Sequence, residues 1–590
     1  MTAPLALRAT GLLRVFHEAG VLGLADVHVA VRVGRLSGEG DERVLLALAL
    51  TVQAVRAGSV CLEPLVAASA EYEAVGDHVD VAELPWPEPL AWLAAIEASP
   101  LVTLGPSGPG LRPLRLVGER LYLERHWGQE EELAAQLRSR AAAPPPKPDV
   151  DVLSDELAAL FGPAAHDDRQ RVACARAAQA WVTVIAGGPG TGKTTTIVRL
   201  LALLTRLGVP PERIALAAPT GKAAARMEAA IATALAGLPD ADARALSDIK
   251  ASTIHRLLGW RPDAHTRFLH EKDDPLPHDV IVVDEMSMVS LQLMVRLLDA
   301  VRPNARIVLV GDPDQLASVE AGTVMADITR APGARDVVVL DRNWRFGGSI
   351  DSLAAAVRDG DWATALDLLG SGDDAVALCS PDEVATRERL AHRLARQGAT
   401  LIDRARAGDA EGALRALDSH RLLCAHRNGP YGVARWSRRA ESIVAAAVPG
   451  YGREGEWYIG RPLIVNRNAA HLGLYNGDTG VVIETADGPR AVFGSGSFRP
   501  WLLEDVATVL ALTIHRAQGS QFEAVSVVLP PPTSPLLTRE LLYTGITRAT
   551  SRVELIGTPE SVRRAIERPA RRASGLADRL WVPPPADPTL

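Results

Sequence analysis

The sequence predicts an α/β chain: two blocks, each a parallel sheet with helices on both faces, a mainly helical region ahead of them, and a small β insertion in the second block. Three observations predict it. From residue 151 onward, short apolar runs alternate with long helical stretches, the pattern of a parallel sheet covered on both faces. The same alternation returns at about 339–430 and 505–560. Between those two pieces, at about 450–500, lies a Gly-rich run of short β-like segments (RPLIVN, NGDTGVVIET, RAVFGSG), whose Asn-Gly is a hairpin signal.

In chain order, residues 1–140 form a first region. RVLLALALTVQAVRAG (43–58) has helical spacing, RLYLERHW is strand-like, and QEEELAAQLRSR is a charged helix. AAAPPPKPD follows; consecutive prolines cannot continue a helix, so 141–150 reads as a linker. The first α/β block spans 151–338. Its strands are WVTVIAG (181–187), RIALAAP (213–219), VIVVDE (280–285) and RIVLVGD (306–312), with helices TTTIVRLLALLTRLG (194–208) and KAAARMEAAIATAL between them. The second block spans 339–575, with strands SVVLP (526–530) and RVELIG (552–557). Residues 576–590, ending PPPADPTL, read as a flexible tail.

Composition narrows the class. A chain of 590 residues is too long for one core and suggests about three or four domains. No run of about 20 uncharged apolar residues occurs, and Arg8, Arg14, His17 and Glu18 break up the N-terminus, so the chain reads as cytoplasmic, with no membrane span or signal peptide. Cys61, Cys174, Cys379 and Cys424 are scattered with no CxxC, which argues against a zinc ribbon, an iron–sulfur cluster or a disulfide framework. A net charge of −8 leaves any nucleic-acid contact to local charge. The five lysines are outnumbered by 58 arginines, yet Lys193 and Lys222 both sit in Gly-Lys pairs. Arg replaces Lys harmlessly on a solvated surface, but not where a compact ammonium must fit between phosphates.

Residues 187–196 read GGPGTGKTTT, after a strand and at the start of a helix. That context makes Gly187-x-x-x-x-Gly192-Lys193-Thr194 a P-loop: Gly187, Gly188, Pro189, Gly190, Thr191 and Gly192 would cradle phosphates with backbone N–H groups. Lys193 would reach the β- and γ-phosphates of ATP, Thr194 would ligate Mg²⁺, and Thr195 would complete the loop. Asp284 and Glu285 end an apolar strand, where a ligand crevice forms; Asp284 would hold Mg²⁺ through water, and Glu285 would polarise the attacking water. Gln315 in GDPDQL is a neutral amide placed to sense the γ-phosphate or to orient water. Arg345 and Arg548, from the second block, would act as arginine fingers.

The order of the pieces carries a resemblance. Gln170 in HDDRQRVAC is followed by GGPGTGKTTT, APTGKAAARM (218–227), STIHRLLGW (252–260), VVDEMSM (282–288), GDPDQL, NWRF (343–346), TIHRAQGSQF (513–522) and YTGITRA (543–549). The series resembles the motifs of superfamily one helicases that move 5′ to 3′ on single-stranded DNA, and within them the RecD family, the alpha subunit of the RecBCD (exonuclease V) helicase–nuclease. The resemblance implies two RecA-like P-loop NTPase domains, an SH3-like β-barrel insertion and an ATP-driven helicase in double-strand break repair. It implies that Gln170 reads the adenine edge. It implies that Thr220, Gly221, Thr253 and His255 face single-stranded DNA drawn from a duplex end, and that the His515–Phe522 stretch, with His515, Gln518, Gly519 and Ser520 binding DNA, links the strand to the nucleotide cleft. The 120–134 stretch is similar to the subunit form, which implies RecB-like and RecC-like partners in a heterotrimer. His515-Arg516 departs from the usual His-Lys but keeps the charge, and the acidic segment within 232–250 has no assignment. No constellation suggests nuclease chemistry. Two rivals stay open at this point: a stand-alone helicase, and a nucleotide-gated switch that binds DNA without translocation.

Overall fold

The computed structural model describes residues 9–580 except 71, 73–80, 109, 145–147, 163–167, 262–267, 335, 343–347 and 454. The N-terminal region opens with helices Gly11–Glu18, Leu24–Ser37 and Glu42–Arg56, the last capped by the Asp41 side chain on Arg43 N–H. Strands β1 (Cys61–Leu62), β2 (Val102–Leu104), β3 (Leu114–Val117) and β4 (Arg120–Leu123) form a small sheet ordered β1-β4-β3-β2, so the helical region has a sheet as well. Of the strand-like RLYLERHW only Arg120–Leu123 is extended. Glu124 starts a helix that runs to Ala142 and packs on the first motor domain, where Gln136 donates to Asp299 and Arg140 to the carbonyl of Val301. The centre of the expected linker lies outside the described residues.

The first motor domain is a six-stranded, all-parallel sheet. Its strands are β5 (Val182–Gly187), β6 (Ile214–Ala218), β7 (Ala251–Thr253), β8 (Val280–Val283), β9 (Arg306–Gly311) and β10 (Val337–Leu340), in the order β10-β5-β9-β8-β6-β7. Every residue of β5, β6 and β8 is buried, as expected of strands covered on both faces. The boundary after 338 needs correction: β10 pairs with β5 through Leu340↔Gly187, so the first domain extends to Leu340. Because β5, β9 and β8 are neighbours, the P-loop, Asp312 and Asp284 meet at their carboxyl ends, beside the switch point where a ligand crevice opens. The acidic segment contains a helix, Asp240–Leu246, held by Leu246 in the core and by Asp242 against Arg206.

The second motor domain has β11 (Val376–Cys379) and β12 (His420–Cys424). An insertion follows, built from β13 (Pro462–Val465), β14 (Thr479–Ile483), β15 (Arg490–Phe493), β16 (Gly496–Phe498) and β17 (Val506–Thr508). The chain then returns through β18 (Ala511–Thr513), β19 (Phe522–Val528) and β20 (Ala549–Ile556). The parent sheet is parallel, ordered β11-β20-β19-β12-β18; the insertion is antiparallel, ordered β16-β15-β14-β13-β17.

The tail is corrected in part. Leu576–Arg579 is a helical turn, and Leu576 and Leu580 are 1% and 0% exposed, packed into the core shared by the Glu124–Ala142 helix and the first motor domain. The Glu130 carboxylate, fully buried, accepts from Ser574, Gly575 N–H and Arg579, whose guanidinium lies 3.7 Å over the Trp127 ring. Apolar burial and a satisfied charge fix this segment where composition alone suggested freedom. Residues 581–590 lie outside the described residues. All four cysteines are free and buried. Among the described residues no helix is long and apolar enough to cross a membrane, and no cluster of three or more His, Cys, Asp or Glu could hold a metal ion.

Candidate functional site

β5 delivers the chain into the loop 187–192. Gly190 and Gly192 both take φ +85°, a left-handed conformation that glycine adopts without the Cβ clash. A Cβ on Gly187 would stand 2.6 Å from Thr191 Oγ1, and one on Gly188 would stand 2.9 Å from the Tyr543 hydroxyl. The helix Lys193–Arg206 begins directly after Gly192, so its first-turn N–H groups open onto the loop. Lys193 Nζ donates to the carbonyls of Gly187 (2.6 Å) and Gly188 (2.8 Å), curled onto the loop it serves. Thr194 and Thr195 occupy the first turn beside it. Gln170, nearly buried, donates to the Thr191 carbonyl at 3.4 Å and accepts from Arg199 at 3.1 Å, which brings it against the P-loop.

Asp284 follows β8, and its Oδ1 accepts from Glu285 N–H at 2.8 Å. Burial, then the neighbouring Glu285 carboxylate, push the Asp284 carboxyl up to about 6, with Lys193 opposing. Glu285 has φ +53°, the one non-glycine residue in this region among those described. Such a conformation costs roughly 1–2 kcal/mol and clusters at functional sites.

Asp312 follows β9 and is 1% exposed. Its Oδ2 accepts from Gln315 Nε2 at 2.9 Å and from the Tyr543 hydroxyl at 3.1 Å. Arg548 Nη2 donates to Gln315 Oε1 at 3.2 Å, and its remaining donors reach the carbonyls of Thr544 and Ser520 and the Thr547 hydroxyl. The Thr544 hydroxyl accepts from Leu316 N–H, and Gln518 Nε2 donates to the Leu316 carbonyl. The loop 312–316 of the first motor domain is therefore held by Gln518, Tyr543, Thr544 and Arg548 of the second. Arg345 lies outside the described residues.

The expected strand-facing residues divide. Thr220 and Thr253 lie beside each other, because β6 pairs with β7 through Ala218↔Thr253; each caps a helix, Thr220 accepting from Ala223 N–H and Thr253 from Arg256 N–H. His255 is exposed, 5.9 Å from the Phe268 ring. His515 is half-buried, and burial, with Arg572 and Arg427 adding, pulls its imidazole down, so it is neutral at pH 7. Gly221 is buried against the insertion, where a Cβ would stand 2.1 Å from Tyr475 Cγ. Gln518 and Ser520, 7% and 4% exposed, line the seam between the motor domains, and Gly519 there accepts from Arg226. The Gln518 amide donates to the Leu316 carbonyl and the Ser520 carbonyl accepts from Arg548, so this stretch lies against the nucleotide cleft. The sequence reading missed Asp312, Tyr543, Thr544, Arg226 and Tyr475. The first four stood inside the quoted motifs, but nothing in their spacing marks them as partners across a cleft.

The comparisons with known proteins agree with this geometry. Three family models match: an AAA domain over 170–321, a UvrD-like helicase C-terminal domain over 508–556, and the RecBCD enzyme subunit RecD, N-terminal domain, over 18–122. The chain is 48% identical to the RecBCD enzyme subunit RecD of Mycolicibacterium smegmatis, over 96% of this chain and 99% of that one. The chain belongs to the RecD family. RecD of Haemophilus influenzae is 32% identical over 70% of this chain and 72% of its own length. The ATP-dependent RecD2 DNA helicase of Deinococcus radiodurans is 30% identical over 78% of this chain but 58% of its own length. Among solved structures, Bacteroides Pif1 bound to single-stranded DNA matches with a TM-score of 0.38 at 15% identity, over 67% of this chain and 93% of that one. As a RecD-family protein the chain is an ATP-dependent DNA helicase.

Proposed function

We propose that this chain is the 5′-to-3′ motor subunit of a RecBCD-type helicase–nuclease, acting in the cytoplasm on duplex DNA ends during double-strand break processing and recombinational repair. The observation that carries the motor reading is the cross-cleft bond from Arg548 to Gln315, which ties a charge-stabilising group of one domain to a phosphate-sensing group of the other. A nucleotide-gated switch needs only one of these domains.

The residues fit ATP and Mg²⁺. Four of the six positions 187–192 are glycine, leaving backbone N–H groups open to phosphates, and the Asp284 and Glu285 carboxyls form a charge pair that a divalent cation would neutralise. Thr194 and Asp284 would hold Mg²⁺, which supplies charge neutralisation along the phosphates. Lys193 exchanges the carbonyls of Gly187 and Gly188 for phosphate oxygens. Glu285 orients the attacking water, and Gln315 and Arg548 meet the charge that develops on the γ-phosphoryl group. Loss of that phosphate releases the hold between the domains, and the cleft opens. Thr220, Thr253 and His255, with backbone groups around them, grip the strand through phosphates without reading sequence.

The subunit reading rests on the N-terminal match over 18–122 and on the 48% identity to the M. smegmatis subunit, against 30% to the D. radiodurans helicase. Co-expression with the RecB-like and RecC-like chains of the same genome tests it. A stoichiometric ternary complex that unwinds faster than the isolated chain is expected; full activity alone, with no complex on gel filtration, favours the stand-alone helicase.

A further inference from the structure

We propose that Tyr543 and Asp312 are positioning residues which fix the side-chain amide of Gln315 only when the cleft between the motor domains is closed. The inference rests on the ATP-driven reading above and concerns how hydrolysis is made to wait for closure.

The Gln315 amide can sit in two orientations related by a flip of its oxygen and nitrogen. Here each end is specified. Oε1 accepts from Arg548 and Nε2 donates to Asp312 Oδ2. A flipped amide would set NH₂ against the guanidinium and oxygen against the carboxylate, two repulsive contacts in a buried site. The orientation of Gln315 therefore depends on Asp312 staying where it is.

Asp312 is held from both domains. Its own domain contributes Asp314 N–H at 3.1 Å on Oδ1. The second motor domain contributes the Tyr543 hydroxyl at 3.1 Å on Oδ2. Tyr543 is 3% exposed on the helix Arg539–Ile546, which Thr538 caps, and its hydroxyl also stands over Gly188 of the P-loop. Burial and the adjacent Asp312 raise the phenol well above its ordinary range, so it remains a donor at every working pH. Cleft opening carries Tyr543 away and leaves a buried carboxylate short of a donor, a costly condition that lets Asp312 and Gln315 rearrange. Among the described residues the Tyr543 hydroxyl bonds to Asp312 and not to a phosphate-handling side chain, so its influence on turnover passes through Asp312 to Gln315.

The test uses the full chain and DNA-stimulated phosphate release at saturating single-stranded DNA. The unaltered chain is measured first; absence of DNA-stimulated ATPase there overturns the motor reading itself, and this proposal with it. Tyr543→Phe removes one hydroxyl from a buried ring. The expected result is a tenfold or larger fall in kcat with the KM for ATP within twofold, and a similar fall for Asp312→Asn. In a Gln315→Ala background, Tyr543→Phe is expected to change the residual rate less than twofold. A kcat for Tyr543→Phe within twofold of the parent overturns the proposal, and so does the same tenfold fall in the Gln315→Ala background, which would show that Tyr543 acts elsewhere.

Discussion

Arg548 Nη2 lies 3.2 Å from Gln315 Oε1, across the boundary between the two motor domains. Arg548 is 2% exposed and each of its three guanidinium nitrogens donates to a protein acceptor, so nucleotide must compete with those acceptors for the same guanidinium. Binding and domain closure are thereby one exchange of hydrogen bonds.

Arg548→Ala is expected to lower DNA-stimulated kcat by about a thousandfold, the usual effect of losing an arginine finger. Arg548→Lys is not expected to rescue it, because a point ammonium cannot serve the fork of acceptors at Thr544, Ser520 and Gln315. Steady-state phosphate release with single-stranded DNA measures both.

Lys193→Gln should abolish hydrolysis and leave the fold intact. Lys193 bonds only to its own loop, through the carbonyls of Gly187 and Gly188, and an amide can replace one of those bonds. The thermal midpoint should stay within about 1 °C of the parent, about what a 1 kcal/mol change produces in a chain this large. Full ATPase activity in this variant would remove the P-loop from the account.

Gly221→Ala places a methyl where Tyr475 Cγ would be 2.1 Å away. Overpacking of that kind costs about 1–3 kcal/mol. The helix Gly221–Leu235 should shift off the insertion, and DNA stimulation of ATPase should fall severalfold. Gly221→Ala combined with Tyr475→Ala should recover most of it, which a DNA-binding titration and an ATPase assay on the three variants would decide.

A pH-dependent term belongs to the C-terminal segment. Burial pushes the Asp327 carboxyl up to about 6, with the Ser574 and Thr323 hydroxyls opposing. Its ordinary value is 3.8, so between that pH and about 6 the folded chain keeps a proton that the unfolded chain has released. Stability from this group therefore falls as pH rises through the window and is level above it. Asp327→Asn keeps an acceptor for Ser574 and has no such slope. Its thermal midpoint should gain on the parent between pH 4 and 6, and a constant difference across that range would contradict the assignment.

Much of the site was legible because its pieces lie at strand ends with recognisable neighbours: four apolar residues before Asp284, and a strand and a helix on either side of GGPGTGK. The pairing of Tyr543 with Asp312 was not, since 231 residues separate them and only the docking of two sheets brings them together. The burial of Gln518 and Ser520 was not legible for the same reason: a polar turn reads as a surface contact until a second domain covers it. The segment Leu576–Arg579 looked free because one short helical turn carries little periodicity; its anchors, the core around Leu576 and Leu580 and the buried Glu130 carboxylate, are far away in the sequence. The edge strand β10 was given to the wrong block because an apolar run says nothing of which sheet it joins.

The central claim is directional, ATP-driven movement along DNA, and one comparison tests it most directly. The purified chain, alone and with candidate RecB-like and RecC-like chains, is given Mg-ATP and one of two duplexes that differ only in carrying a 5′ or a 3′ single-stranded tail, and strand separation is followed. Any nucleotide-hydrolysing site of an added chain is inactivated, so that motor activity comes from this chain. Unwinding from the 5′-tailed duplex alone, lost in Lys193→Gln, is the predicted result. Unwinding from the 3′ tail, or none from either while ATP binds and DNA leaves hydrolysis unchanged, would contradict it.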